Sequence, residues 1–387
     1  MMAAGNAFIS GNEAIAAGVR LARPQVIAAY PITPQTTVIE RLAEMVEDGS
    51  LPAEYLHVES EHSALSACIG ASAVGARSFT ASSSQGLLYM AECLHYASGG
   101  RFPVVMMNAN RSVALPWNIY GDQRDSLSLL DCGWIQAYAE DAQESLDLVI
   151  QAYAIAEHPD VLTPVMINLD GFVLTHTYEL VSVPDPVDVD AFLPSFQTTN
   201  RMDPDHPMSL GFTAGPRHNQ AFKQLQHLAM LSSARVIRET EARYGEVTGR
   251  RYPGLVEAFQ CDDAEYVIVT LGSVAGTVRP VVERLRSMGE RVGLLRIRYM
   301  RPFPEEEVRV ALAGAKAVGV LEKDISFGYE GTVFTNVNSA LTRSDAMPQR
   351  LLNFIGGLGG KDIPAVDIES LFSRLKAFDD EATVTFI

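Results

Sequence analysis

At 387 residues, 47% of them hydrophobic and 20% charged, the chain has the composition of a folded globular protein and is too long for one ordinary core, so two or three domains are expected. No apolar run approaches the ~20 residues of a membrane span, and the opening MMAAGNAFISGNEA has neither the basic start nor the apolar stretch of a secretory signal, which points to a cytoplasmic protein. The net charge of −17, from 47 acids against 30 bases, repels phosphate backbones and argues against nucleic acid as a partner.

In chain order, residues 11–22 read as a helix of small and apolar residues. VIAAY at 26–30 reads as a strand stopped by Pro31. A helix follows at 35–46, with Val38, Ile39, Leu42 and Met45 on one face, then a strand at 55–58. Residues 61–74 form an Ala/Gly-rich helix for which Ser60 is an N-cap. A strand at 78–81, one helix at 85–97 and the apolar strand PVVMMN at 103–108 come next. A strand near 134–138, a helix at 141–157 and a strand at 165–168 close the first unit. Prolines among polar residues mark 184–215 as an ordered arm, and 220–244 reads as a long amphipathic helix. A second unit repeats the alternation. Its strands fall at 266–271, 292–297, 318–321 and 352–355, its helices at 274–288, 305–312 and 331–341, and a last helix runs from Asp367. Strand–helix alternation with short joins predicts parallel sheets in an α/β fold, whose sites form at the carboxyl ends of the strands.

Four strand-to-helix loops carry the polar residues. Tyr30-Pro31-Ile32-Thr33-Pro34 holds one hydroxyl between two prolines; Thr33 is a ligand group on a rigid turn, or the cap of the next helix. His57-Val58-Glu59-Ser60-Glu61-His62 puts two carboxylates where a strand meets an apolar helix. Partial burial would fit one of them for proton transfer, while Glu61 in a first helical turn also complements the dipole. Ser82-Ser83-Ser84-Gln85-Gly86 offers hydroxyls and amides to a ligand, or simply caps. Arg111 follows a buried strand, where its guanidinium is placed to clamp a carboxylate or to pair with a nearby Asp. The four cysteines, Cys68, Cys93, Cys132 and Cys261, form no CxxC, so this chain signals neither a zinc site nor an iron–sulfur site. No glycine fingerprint follows the first strand, against a nicotinamide dehydrogenase.

Taken together, GNEAIAAGVRLA, AAYPITPQT, HVESEHSA, FTASSSQGL, NRSVALPWNIYGDQRDS, VTLGSVAGT, LLRIRYMRPFP and ISFGYEG resemble, in family order, the alpha subunits of the pyruvate:ferredoxin oxidoreductases (pyruvate synthases) within the 2-oxoacid:ferredoxin oxidoreductase family. The resemblance implies a parallel-sheet pyrimidine-binding domain for thiamine diphosphate at 1–185. It implies a linker with a long helix at 186–262 and a transketolase C-terminal-like α/β domain at 263–387. Beta, gamma and delta subunits would be the partners, and ferredoxin, pyruvate and CoA the reactants, with a cofactor shared with beta. Mg²⁺ and the 4Fe-4S clusters would lie on partner chains and no metal ligand on this one, in keeping with the lack of the GDG motif by which such enzymes hold the diphosphate.

Residue by residue, Glu61 resembles the catalytic glutamate that hydrogen-bonds the aminopyrimidine N1′, with Glu59 second. Tyr30, Pro31, Ser84 and Gln85 would line the cofactor, and Thr33, Arg111, Asn118 and Asp122 the substrate. The same resemblance allows other 2-oxoacids (2-oxoglutarate, branched-chain, or oxalate, against which Thr33 speaks) or a scaffold subunit that only completes a partner's pocket.

Overall fold

The computed structural model describes residues 4–211, 213–343, 347–377 and 383–387. The chain opens with β1 (Gly5–Ser10) and α1 (Gly11–Ala22). Ser10 and Glu13 form a reciprocal capping box at the start of α1, and Arg23 ends it in the left-handed region. Then come β2 (Val26–Ala29), α2 (Thr36–Glu47), β3 (Glu54–His57), α3 (Glu61–Ala73), β4 (Ser78–Ser82), α4 (Ser84–Tyr89), α5 (Ala91–Gly99), β5 (Val105–Asn110), the one-turn α6 (Arg124–Leu127), β6 (Ile135–Tyr138), α7 (Ala142–Ala156), β7 (Val165–Asp170) and β8 (Tyr178–Val183). The arm holds α8 (Pro186–Phe192) and leads into the 33-residue α9 (Pro216–Thr248). The second unit contains β9 (Val256–Phe259), β10 (Tyr266–Leu271), α10 (Ala275–Ser287), β11 (Val292–Ile297), β12 (Tyr299–Arg301), α11 (Glu305–Leu312), β13 (Ala317–Glu322), α12 (Thr332–Leu341), β14 (Arg350–Ile355), α13 (Ala365–Ala377) and β15 (Val384–Phe386).

Two sheets organise these elements. The first has the order β12-β6-β7-β5-β4-β2-β3 and the second β15-β14-β13-β10-β11-β9, while β1 and β8 form a separate antiparallel ribbon. Within the two sheets every pairing is parallel except β12 with β6 and β9 with β11. All residues of β4, β5 and β7 are buried, as a sheet covered on both faces requires. On one face α1 is wedged against α7. A side chain at Gly18 would meet Leu146 O at 2.8 Å, so glycine lets the two helices close on each other.

Three features depart from the expectation. The helix expected at 85–97 is two, divided at Met90. The stretch read as linker contains β9, an edge strand of the second sheet. Tyr299–Arg301, inside the second unit, leaves it to pair with β6 at the edge of the first sheet. The same crossing carries Arg296 and Arg298 into the first unit, where both grip the buried Glu144 of α7 and Arg298 also reaches Glu241 of α9. Burial opposes the charge on Glu144, but the two guanidinia outweigh it and hold the carboxyl at about 2.

Candidate functional site

Strands β2, β3, β4 and β5 lie side by side, so the four polar loops of the sequence converge at one sheet end. Ser60 accepts the Ser63 amide at 3.2 Å and starts α3, which leaves Glu61 as the first helical residue, only 8% exposed. No side chain among the described residues hydrogen-bonds its carboxyl. Glu59 is the outer acid: it is exposed and accepts Ser63 Oγ at 2.6 Å, which holds its carboxyl below the usual value. Gly86, in α4, faces Glu61. A β-carbon there would stand 2.8 Å from Glu61 Cδ and 2.9 Å from Ser82 Oγ. Ser82 Oγ is itself buried with no protein partner.

Arg111 ties the other loops together. Its Nη1 donates to Thr33 O at 2.7 Å and its Nη2 to Gln85 Oε1 at 3.1 Å, while Nε is buried and unpartnered. Burial pulls the guanidinium below its ordinary value, and the nearby Asp125 and Glu61 oppose that. Ser84, at φ 51°, places its hydroxyl, with one proton to donate, 2.7 Å from Ser112 O and 2.5 Å from Gln85 Oε1. Thr33 is exposed and caps nothing, for α2 takes Gln35 as its N-cap; Gln35 Nε2 in turn holds Tyr30 O at 2.8 Å beside the exposed Pro31. The structure thus brings Glu61, Arg111, Ser84, Gln85 and the Tyr30–Thr33 turn together.

The hydrogen bonds of Asn118 and Asp122 turn elsewhere. Asn118 Nδ2 donates to Gly359 O at 2.9 Å, and Asp122, fully buried, accepts Gly359 N at 3.1 Å and the Arg124 guanidinium. Both residues clasp the glycine loop after β14. Asp125, three residues on, has the central position instead. It is completely buried, accepts from Asn108, Asn110, Ser84 and Arg111, and burial pushes its carboxyl up to about 6. A signal for it stood in the sequence: Asn108 and Asn110 are polar residues on one side of an otherwise apolar buried strand and require a buried partner.

Asp170, at the end of β7, faces the second unit. Burial is outweighed there by Lys323 and Ser273, which hold the carboxyl below its usual value. Among the described residues, no group of three His, Cys, Asp or Glu side chains is arranged to hold a metal ion, and no helix is long and apolar enough to cross a membrane.

This fold is shared with 2-oxoglutarate:ferredoxin oxidoreductase from Magnetococcus marinus, at TM-score 0.72 and 20% identity over 97% of this chain; the chain spans 65% of that one. It is also shared with a split-gene transketolase, at TM-score 0.54 and 13% identity over 96% of this chain and 99% of that one. The architecture is therefore the fold seen in both a 2-oxoacid oxidoreductase and a transketolase. Residues 17–242 match the family described as pyruvate flavodoxin/ferredoxin oxidoreductase, thiamine diphosphate-binding, and residues 264–368 match pyruvate:ferredoxin oxidoreductase core domain II. The chain belongs to the pyruvate:ferredoxin oxidoreductase family. Pyruvate synthase subunit PorA of Methanothermobacter thermautotrophicus is 48% identical over 98% of this chain and 97% of its own. The Methanocaldococcus jannaschii subunit of the same name is 47% identical over 97% and 96%. Ketoisovalerate oxidoreductase subunit VorA of Pyrococcus abyssi is 43% identical over 95% and 93%.

Proposed function

We propose that this chain is the alpha subunit of a cytoplasmic pyruvate:ferredoxin oxidoreductase. It would bind the pyrimidine half of thiamine diphosphate at Glu61 and the carboxylate of pyruvate at Arg111 and Thr33, and act only with beta, gamma and delta partners. The observation that carries the reading is one cluster at the sheet's carboxyl end: a nearly buried acid to which no side chain among the described residues donates, opposite a glycine, and an arginine spanning the two neighbouring loops.

The residues fit the group. Gly86 leaves room for the Glu61 carboxyl, and Ser82 Oγ is a buried polar atom awaiting a partner. Bound thiamine diphosphate supplies a carbon nucleophile for the 2-oxo group and a sink for the electrons left when CO₂ departs. The chain's own residues do the rest. Glu61 exchanges a proton with the pyrimidine N1′ in a site where burial strengthens that hydrogen bond. Arg111 has five N–H donors; those not spent on Thr33 O and Gln85 face the substrate carboxylate, and the two contacts fix the plane of the fork. Tyr30, Pro31, Ser84 and Gln85 shape the wall between them. Electrons would leave through 4Fe-4S clusters on partner chains to ferredoxin, and Mg²⁺ with the diphosphate would sit on beta.

The test is Glu61→Gln in the reconstituted complex, followed by pyruvate- and CoA-dependent reduction of ferredoxin. A loss of about 10²–10⁴-fold is expected for removal of a proton-exchanging group, and near-normal turnover would reject the role. The ketoisovalerate relative at 43% identity supports a second reading, a branched 2-oxoacid as substrate. Steady-state kinetics across a panel of 2-oxoacids separates the two.

A further inference from the structure

We propose that Asp125 is a positioning residue: its buried carboxylate fixes the backbone at Ser84 and Arg111 and thereby sets where the Arg111 guanidinium meets the substrate. The inference rests on the reading of Arg111 as the carboxylate clamp and deepens it.

Asp125 sits on α6, a single turn following the long excursion at 112–123. One carboxylate oxygen, Oδ2, accepts the Ser84 amide at 3.0 Å, the Arg111 amide at 3.1 Å and Asn108 Nδ2 at 3.3 Å. The other, Oδ1, accepts Asn110 Nδ2 at 2.7 Å and the Ser126 amide at 2.8 Å. All five donors are neutral. A charge held only by dipoles is held directionally, since each N–H must point at an oxygen. Two of its three backbone partners, Ser84 and Arg111, are the residues that leave β4 and β5 for the site. One of them, Ser84, adopts φ 51°, a conformation that costs a non-glycine residue free energy and persists only when its surroundings impose it. The amide of Arg111 is the hinge of the whole side chain. Turning that peptide plane moves the guanidinium, some five bonds away, off Thr33 and Gln85.

The measurement is pyruvate KM and kcat in the reconstituted complex for Asp125→Asn, Arg111→Lys and the double variant, with the thermal midpoint of each. Asp125→Asn turns one acceptor into a donor facing amides. It should raise KM about 10-fold or more in the parent, as for a hydrogen bond to a charged group, and change KM less than about 2-fold on the Arg111→Lys background, because residues acting through one another are not additive. A fault of folding alone would lower the amount of active complex and leave KM unmoved. Should Asp125→Asn fail to fold, Asn110→Ser removes the 2.7 Å brace on Asp125, together with a 2.8 Å bond to Ser126 Oγ, and should move KM the same way by a smaller factor. If Arg111→Lys raises KM and Asp125→Asn does not, or if the two effects multiply, the positioning role is overturned while the clamp stands. If Arg111→Lys leaves KM unchanged, the clamp itself falls and the positioning role with it.

Discussion

Replacing Gly86 by Ala tests the placement of Glu61 without touching the acid. The added carbon would lie 2.8 Å from Glu61 Cδ and 2.9 Å from Ser82 Oγ, where carbon contacts settle near 3.5–4.0 Å. Ser82 is on a fully buried strand, so the carboxyl must yield, by roughly 0.7–1.2 Å. The cost to the fold is small: about 1–3 kcal/mol for overpacking, partly offset by about 0.5–1 kcal/mol because alanine suits a helix better than glycine. A misplacement of about 1 Å in a reacting group costs on the order of 10²-fold in rate. Gly86→Ala should therefore cut kcat/KM about 100-fold while net stability falls by about 2.5 kcal/mol at most. Gly70→Ala is the control. It lies in the same helix as Glu61, with open space around the new carbon, and should keep full activity. Turnover of the reconstituted complex and urea melts of each variant give both quantities. Wild-type kcat/KM for Gly86→Ala would refute the argument, because it would mean that Glu61 can move without consequence.

Two further outcomes concern the joint between the units. Glu144→Ala strands Arg296 and Arg298, both nearly buried, without their shared carboxylate and should cost about 3–5 kcal/mol in urea unfolding. Because Glu144 is held at about 2 against an ordinary 4.5, its contribution is present above pH 4.5 and is lost as pH falls toward 2, so parent and variant melts should converge in acid. Glu322, at the end of β13, behaves oppositely. Burial, then the neighbouring Asp324, raise its carboxyl to about 8 against the Val333 and Phe334 amides that it accepts. The parent should lose a few kcal/mol as pH climbs from 4.5 through 8, whereas Glu322→Gln should melt with a flatter pH profile over that range; equal slopes would contradict the burial.

Periodicity made most of the strands legible, because a strand buried on both faces must be continuously apolar and few other segments are. VVMM at 104–107, which runs into β5, and YVIVTL in β10 are of this kind. The loops were legible because Pro31, Pro34 and the serine run interrupt that pattern at the strand ends, where a parallel sheet puts its sites. Tyr299–Arg301 was not legible as a strand of the first sheet: three residues carry no period, and their partners in β6, Ala137 and Gln136, lie 162 and 165 positions earlier, a pairing only the tertiary packing selects. In GDQRD, Asp122 and Asp125 have the same local character. One binds Gly359 in the second unit and the other the backbone of the site loops, and nothing short of the three-dimensional path of α6 distinguishes them.

That path also bears on how the second unit acts on the site. The excursion from Ser112 to Asp122 is closed at its base by the Ser112 amide on Tyr120 O at 3.0 Å and by Arg124, which reaches Ser112 and Val113. Its far side is pinned to Gly359 by Asn118 and Asp122. Between these anchors stand Leu115 and Trp117, 85% and 70% exposed, with the Trp117 ring 5.9 Å from the Arg111 guanidinium. A loop held at both ends with an apolar crest in water exposes surface that a burying partner would stabilise. The second unit itself joins the first sheet at the β6 edge, the side away from β3. It therefore holds the loop from behind and leaves the Glu61 face uncovered by this chain, so loosening the Gly359 clasp should raise the pyruvate KM without any change at Glu61 or Arg111.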